Sequence, residues 1–183
     1  MQGAITEKKR YTYEDYLNIA DDKRYELIEG ELIMVPAPVT YHQKISRELE
    51  FELLKFVKKN GLGEVFDAPC DVVLSNENVV QPDILFISKE RLNIIEEKNI
   101  HGPPDIVIEI VSEDSAYRDM IQKKKLYAQY GVKEFWLVIP KEKQAEIYTL
   151  AKEGYQLFKR YGEEDTLESP ILKGLRIELK RIF

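Results

Sequence analysis

"PPDIVIEIVS", residues 103–112, is an apolar run interrupted by a single glutamate, Glu109. A near-continuous run of Ile and Val suits a strand covered on both faces, the central position in a layered α/β sheet. The glutamate does not suit it. A carboxylate placed inside such a strand is costly unless it is paired or binds a metal. The stretch also repeats a Pro-Asp opening found earlier, in "QPDILFIS" at 81–88.

Working outward, "EVFDAPCDVVLS" (64–75) and "VVQPDILFIS" (79–88) read as two strands preceding this one. Before them, "HQKISRELEFELLKFVKKNG" (42–61) reads as a helix, with Ile45, Leu49, Leu53 and Phe56 as its apolar stripe and Gly61 as its stop. After them, "SAYRDMIQKKKLYAQYG" (115–131) predicts a second helix ending at Gly131, and "EFWLVIP" (134–140) another buried strand. The central order is helix, three strands, helix, strand. It predicts an α/β sandwich with a mixed sheet flanked by helices.

The flanks add smaller pieces. Residues 11–20 read as a short helix capped by Thr12, and 24–35 as a hairpin turning on Glu29-Gly30. "KERLNIIEEKNIHG" has room for a short helix or an excursion. "QAEIYTL" and "YQLFKRY" form a second hairpin around Gly154, and "LRIELKRIF" closes the chain.

With 183 residues, the chain fits one domain, 1–183, with residues 1–10 as a flexible tail. No apolar run approaches the roughly 18 residues of a membrane span, and the polar N-terminus does not read as a signal peptide. The expected location is cytoplasmic. The lone Cys70 rules out an internal disulfide and a cysteine zinc cluster. A net charge of −6 argues against binding nucleic acid over the whole surface but permits a local basic groove.

Two readings of Glu109 stay open: a core carboxylate satisfied by a lysine or backbone, and a ligand for a Mg²⁺-type cation, which takes one or two carboxylates plus water and phosphate oxygens. For the second, Asp105 lies on the same strand face, but four residues of rise separate it from Glu109 by roughly 13 Å. Asp105 is expected to be a strand-entry residue. Asp83 heads the neighbouring strand, and strands lie about 4.8 Å apart, so Asp83 is the expected partner.

Metal-dependent phosphodiester hydrolysis also needs charge neutralisation at the phosphate. A lysine two residues after Glu109 would share its face, but that position is Val111. On the following helix, Ala116, Met120, Lys123, Tyr127 and Tyr130 share one face, so Lys123 falls within an apolar stripe. It either snorkels to solvent or serves the site. Lys124 and Lys125 are expected on a solvated face. His42 caps or packs the first long helix, or contacts phosphate or water. Glu26 and Glu31 share a face of the N-terminal hairpin, either solvated or as an extra carboxylate.

The segments "RYELIEGELI", "GLGEVFDAPCDVVL", "NVVQPDILFIS", "GPPDIVIEIVS", "RDMIQKKKLYAQYGVKEFWLVIP" and "DTLESPILKGLRIEL" together resemble the Uma-type restriction endonuclease family of the PD-(D/E)xK nuclease superfamily, from Tyr11 to Phe183. The resemblance implies a restriction endonuclease-like α-β-β-β-α-β core. It implies a divalent metal, Mg²⁺ with Mn²⁺ as a substitute, between Asp83 and Glu109, and a catalytic lysine at Lys123, four residues after Asp119.

The leading expectation is therefore a Mg²⁺-dependent DNA endonuclease using Asp83, Glu109 and Lys123, with His42 and Glu31 auxiliary, working as a homodimer away from membranes. The alternative is a nucleic-acid-binding or accessory module on the same fold with little catalysis. A weaker third reading is an oligomerisation domain pairing through exposed strand edges.

Overall fold

The structure is a computed structural model; it describes residues 9–112 and 116–183, with the side chains of 116–119 left aside. The expected tail at 1–10 therefore lies outside the described residues for 1–8. Lys9 and Arg10 are engaged: Lys9 Nζ sits 4.5 Å above the Tyr11 ring, and Arg10 Nη2 donates to the Glu29 carbonyl at 3.1 Å.

The chain opens with helix α1 (Tyr13–Leu17), shorter than the expected 11–20. Thr12 and Asp15 form a reciprocal capping box at its start. Strands β1 (Tyr25–Ile28) and β2 (Glu31–Met34) follow as the expected hairpin. Its turn residues Glu29 and Gly30 have φ of 51° and 77°, the paired positive values that favour a glycine in a tight primed turn.

Helix α2 (Thr40–Asn60) buries Ile45, Leu49, Leu53 and Val57. Phe56, expected in the stripe, is only partly buried; the i, i+4 step from Leu53 reaches Val57 instead. Fully burying each of these side chains contributes about 1.5–3 kcal/mol. The helix stops at Gly61, whose left-handed φ of 61° lets Leu62 N–H reach back to the Val57 carbonyl.

Each of the next two expected strands proves to be two. Residues 64–75 form β3 (Gly63–Asp67) and β4 (Val72–Ser75); residues 79–88 form β5 (Asn78–Val80) and β6 (Ile84–Ser88). Each break contains a proline, Pro69 or Pro82, which has no N–H to give to a ladder. The segment expected as a short helix or excursion is a 3-10 turn at Lys89–Ile94 followed by β7 (Ile100–His101). Then come β8 (Ile106–Ile110), α3 (Ala116–Tyr130), β9 (Glu134–Ile139), the β10 (Gln144–Ala151) and β11 (Gly154–Gly162) hairpin, and a small pair, β12 (Thr166–Leu167) and β13 (Ile177–Glu178).

Two principal sheets result. One runs β11-β10-β9-β8-β6-β3 and is mixed, since β8 and β9 are parallel and its other pairs antiparallel. The other runs β2-β1-β5-β4-β7. Alternation along β6, β8 and β9 sorts the six-stranded sheet into two faces. Ile84, Phe86, Ile106, Ile108, Trp136 and Val138 pack toward α2. Leu85, Ile87, Val107 and Phe135 pack with Leu126 and Tyr127 of α3 and with Val72 and Val80 of the second sheet. The helix, three strands, helix, strand order is thus realised as α2, β3, β6, β8, α3, β9. At the start of β9, buried Glu134 accepts from Trp136 Nε1 at 2.6 Å and from Ile171 N–H at 3.1 Å, which fastens the C-terminal segment.

Candidate active site

The β6–β8 register pairs Ile84 with Ile108, so the residues one step outward, Asp83 and Glu109, stand opposite each other on adjacent strands. Asp83 Oδ2 accepts the Ile110 N–H at 2.7 Å and lies 3.3 Å from His42 Nε2. The same His42 nitrogen is 3.1 Å from the Ile110 carbonyl, while its Nδ1 is buried without a hydrogen-bond partner among the described residues. His42 enters from the first turn of α2.

Glu109 is 2% exposed and Lys123 7% exposed. Lys123 does not snorkel. Its Nζ lies 3.2 Å from Glu109 Oε1 and 2.6 Å from Glu26 Oε1. Tyr127, one helical turn after Lys123, donates its hydroxyl to Glu109 Oε1 at 2.6 Å. Glu26, also buried, accepts the Gln81 N–H at 2.8 Å. The site thus collects β1, the strand break before β6, β8, α2 and α3.

Electrostatics follow from the charge count. Burial pushes the Glu109 carboxyl up to about 7 against the pull of Lys123, and the negative charges of Asp83 and Glu26 push it further. Burial alone would lower the Lys123 ammonium, but Glu109 and Glu26 outweigh it and raise it. For His42, burial lowers, while the hydrogen bond and charge of Asp83 win and raise it. Three carboxylates surround one lysine, and the surplus negative charge draws positive charge in. No group of three or more His, Cys, Asp or Glu side chains among the described residues is arranged to hold an ion. The metal-capable donors here are the two facing carboxylates, a set that suits a hard cation retaining several waters.

Asp105 is 1% exposed and serves elsewhere. It accepts from Ser88 N–H at 2.8 Å and pairs with Lys133 at 2.6 Å and Arg91 at 3.2 Å. Though burial opposes it, these partners hold its carboxyl below the usual range. The strand-entry expectation for Asp105 agrees with this. Lys124 departs from expectation: it is half-buried, with Nζ 3.1 Å over the Tyr148 ring centroid, because the β10–β11 hairpin covers that flank of α3. Lys125 is exposed, as expected.

The Uma2 family model, described as "Putative restriction endonuclease", matches residues 12–180. The chain belongs to the Uma2 family. A crystal structure of "a putative nuclease belonging to DUF820 from Anabaena variabilis ATCC 29413" superposes on this Uma2 member with a TM-score of 0.78 at 22% identity, covering 94% of this chain and 97% of that one. At that identity the likeness speaks for the fold. No curated protein matches the chain.

At this Uma2 site Tyr127 and Gln81 were not singled out from sequence, and Glu26 was named only as an alternative to Glu31. Glu26 and Glu31 do share a hairpin face, because Glu26 pairs with Ile33 and Glu31 with Ile28. Glu26 is the one that meets Lys123. Glu31 is exposed near the turn and lines a surface cleft of about 360 Å³ with Arg10, Ile33 and Gln122. Tyr127 was visible only as a member of the α3 stripe. Its spacing of four from Lys123 was the available signal. Gln81 acts through its backbone N–H, which no side-chain pattern announces.

Proposed function

We propose that this Uma2 member is a Mg²⁺-dependent endonuclease that hydrolyses phosphodiester bonds in DNA, as a cytoplasmic homodimer whose two sites serve the two strands. The observation that carries the reading is the opposition of Asp83 and Glu109 on neighbouring strands, with a buried lysine against Glu109. Asp83 and Glu109 would hold the Mg²⁺, or Mn²⁺ in its place, which when bound acidifies a water and neutralises charge on the phosphate.

The protein's own groups do the rest. Lys123 presents an ammonium beside Glu109, where it steadies the attacking water and the charge gathering on phosphoryl oxygens. It takes the role that a lysine at position 111 would have from the strand. Tyr127 orients the Glu109 carboxylate through its hydroxyl. His42, whose imidazole Asp83 raises above its ordinary value against the effect of burial, is an auxiliary polar group at the strand ends. Glu31, at the cleft rim, is an auxiliary carboxylate.

Plasmid nicking with and without Mg²⁺ tests this. Cleavage that requires the cation and is lost in Asp83→Ala and Glu109→Ala is the expected result; equal cleavage by these variants and wild type refutes the assignment.

The second reading, a nucleic-acid-binding accessory module with little catalysis, draws support from the net charge of −6 and from Val111 in the strand position otherwise suited to lysine. It predicts salt-sensitive DNA binding without Mg²⁺-dependent nicking.

A further inference from the structure

We infer that Glu26 is a positioning residue whose carboxylate fixes the Lys123 ammonium beside Glu109, making the N-terminal hairpin part of the working site. The inference rests on the nuclease reading for its catalytic consequence, though not for its geometry.

Three observations carry it. First, the Glu26–Lys123 contact, 2.6 Å, is shorter than the Glu109–Lys123 contacts of 3.2 and 3.4 Å. Second, Glu26 is itself held: it is 5% exposed, and its Oε1 accepts the Gln81 N–H from the segment leading into Asp83. Third, Lys123 comes from a helix rather than from β8. A lysine on α3 has four rotatable side-chain bonds between its backbone and its charge and needs an external anchor. Glu109 holds the ammonium from one side only and at longer range, 3.2 and 3.4 Å. Glu26 completes the clamp from the opposite sheet.

A buried ion pair of this kind contributes little net stability against apolar replacements and is better explained by the geometry that it enforces. The backbone tie to Gln81 adds a second consequence. Gln81 is two residues from Asp83, so the lysine's anchor is hydrogen-bonded to the same short piece of chain that carries the first acid.

Glu26→Gln tests the inference, since the amide oxygen can still accept from Gln81 N–H while the charge is gone. In metal-free ¹⁵N-lysine spectra, the held Lys123 ammonium gives slowly exchanging protons in the wild type, and in Glu26→Gln they are expected to exchange at least tenfold faster. In Mg²⁺ nicking kinetics, kcat falls at least tenfold while KM and the calorimetric Mg²⁺ affinity stay within threefold. Glu26→Asp, which keeps the charge, recovers at least part of kcat and stands in if Glu26→Gln does not fold. Unchanged ammonium exchange overturns the inference, as does equal kcat in the Asp and Gln variants. Mg²⁺ affinity falling as it does in Glu109→Gln also overturns it, by making Glu26 a ligand. If wild type cleaves nothing, the nuclease reading fails instead, and ammonium exchange alone decides whether Glu26 holds Lys123.

Discussion

Asp83 Oδ2 accepts the backbone N–H of Ile110 at 2.7 Å, so one acid is pinned to the residue that follows the other. The bond gives the Ile110 N–H a side-chain acceptor just before β6 begins, and it ties the Asp83 carboxylate to the backbone beside Glu109. Asp83→Asn keeps an oxygen acceptor for Ile110 and removes the charge. Nicking should fall by roughly 10²–10³-fold, the range seen when one preorganised electrostatic group is deleted. Urea unfolding should shift by less than about 1 kcal/mol. A variant that is inactive because it is unfolded shows a lost transition instead.

Neighbouring lysines on α3 should behave oppositely. Lys123→Met leaves Glu26 and Glu109 buried without their cation, a loss of about 3–5 kcal/mol when one partner of a buried pair is removed. Lys124→Ala removes a cation resting on the Tyr148 ring, worth about 0.5–1 kcal/mol at such partly exposed sites. Chemical denaturation of the two single variants checks the contrast, and cleavage should survive only in Lys124→Ala.

Sequence made the Asp83–Glu109 relationship legible because it depends on two short-range rules, side-chain alternation and strand spacing. It also made clear that Asp105 lies too far along its strand. The choice between Glu26 and Glu31 was not legible. Both occupy one hairpin face, and which end docks on α3 is decided by packing of Ile28 and Ile33 against a helix about ninety residues later in the chain. Lys124 was misjudged for a similar reason: a helical wheel marks it as a flank, and only the return of the β10–β11 hairpin covers that flank. Strands were joined across Pro69 and Pro82 because the apolar pattern continues on both sides of each break, even though the two halves belong to different sheets.

Asp105 should govern acid sensitivity. Its carboxyl is held below the ordinary range in the folded protein by Lys133, the Ser88 N–H and Arg91 against the opposing effect of burial. A depressed folded value means that Asp105 adds stability above its unfolded value, near 3.9, and that this contribution is lost as pH falls through the folded value. Asp105→Asn should therefore lower stability at neutral pH by about 2–3 kcal/mol, as expected for losing charge-assisted hydrogen bonds at a buried group. It should also flatten the acid limb of a melting-temperature profile. Nicking per folded molecule should be unaffected.

Glu31→Gln should change kcat less than about fivefold, well short of the effect of either facing acid, because general electrostatic assistance from an exposed group is screened. Steady-state nicking at two salt concentrations measures it. A loss equal to that of Glu109→Gln removes Glu31 from the auxiliary role.

Size-exclusion chromatography with light scattering should give twice the chain mass at micromolar concentration. A monomer there removes the homodimer from the proposed function and leaves single-strand nicking as the expected reaction.

Between Val80, which ends β5 in one sheet, and Ile84, which starts β6 in the other, the chain has only three residues, Gln81, Pro82 and Asp83. Glu26 stands on the first platform and Glu109 on the second, and Lys123 bridges them. Neither platform alone carries the ionic cluster. The constellation exists only where the two sheets meet, so under the nuclease reading a change that loosens their contact would disarm the site without touching either acid.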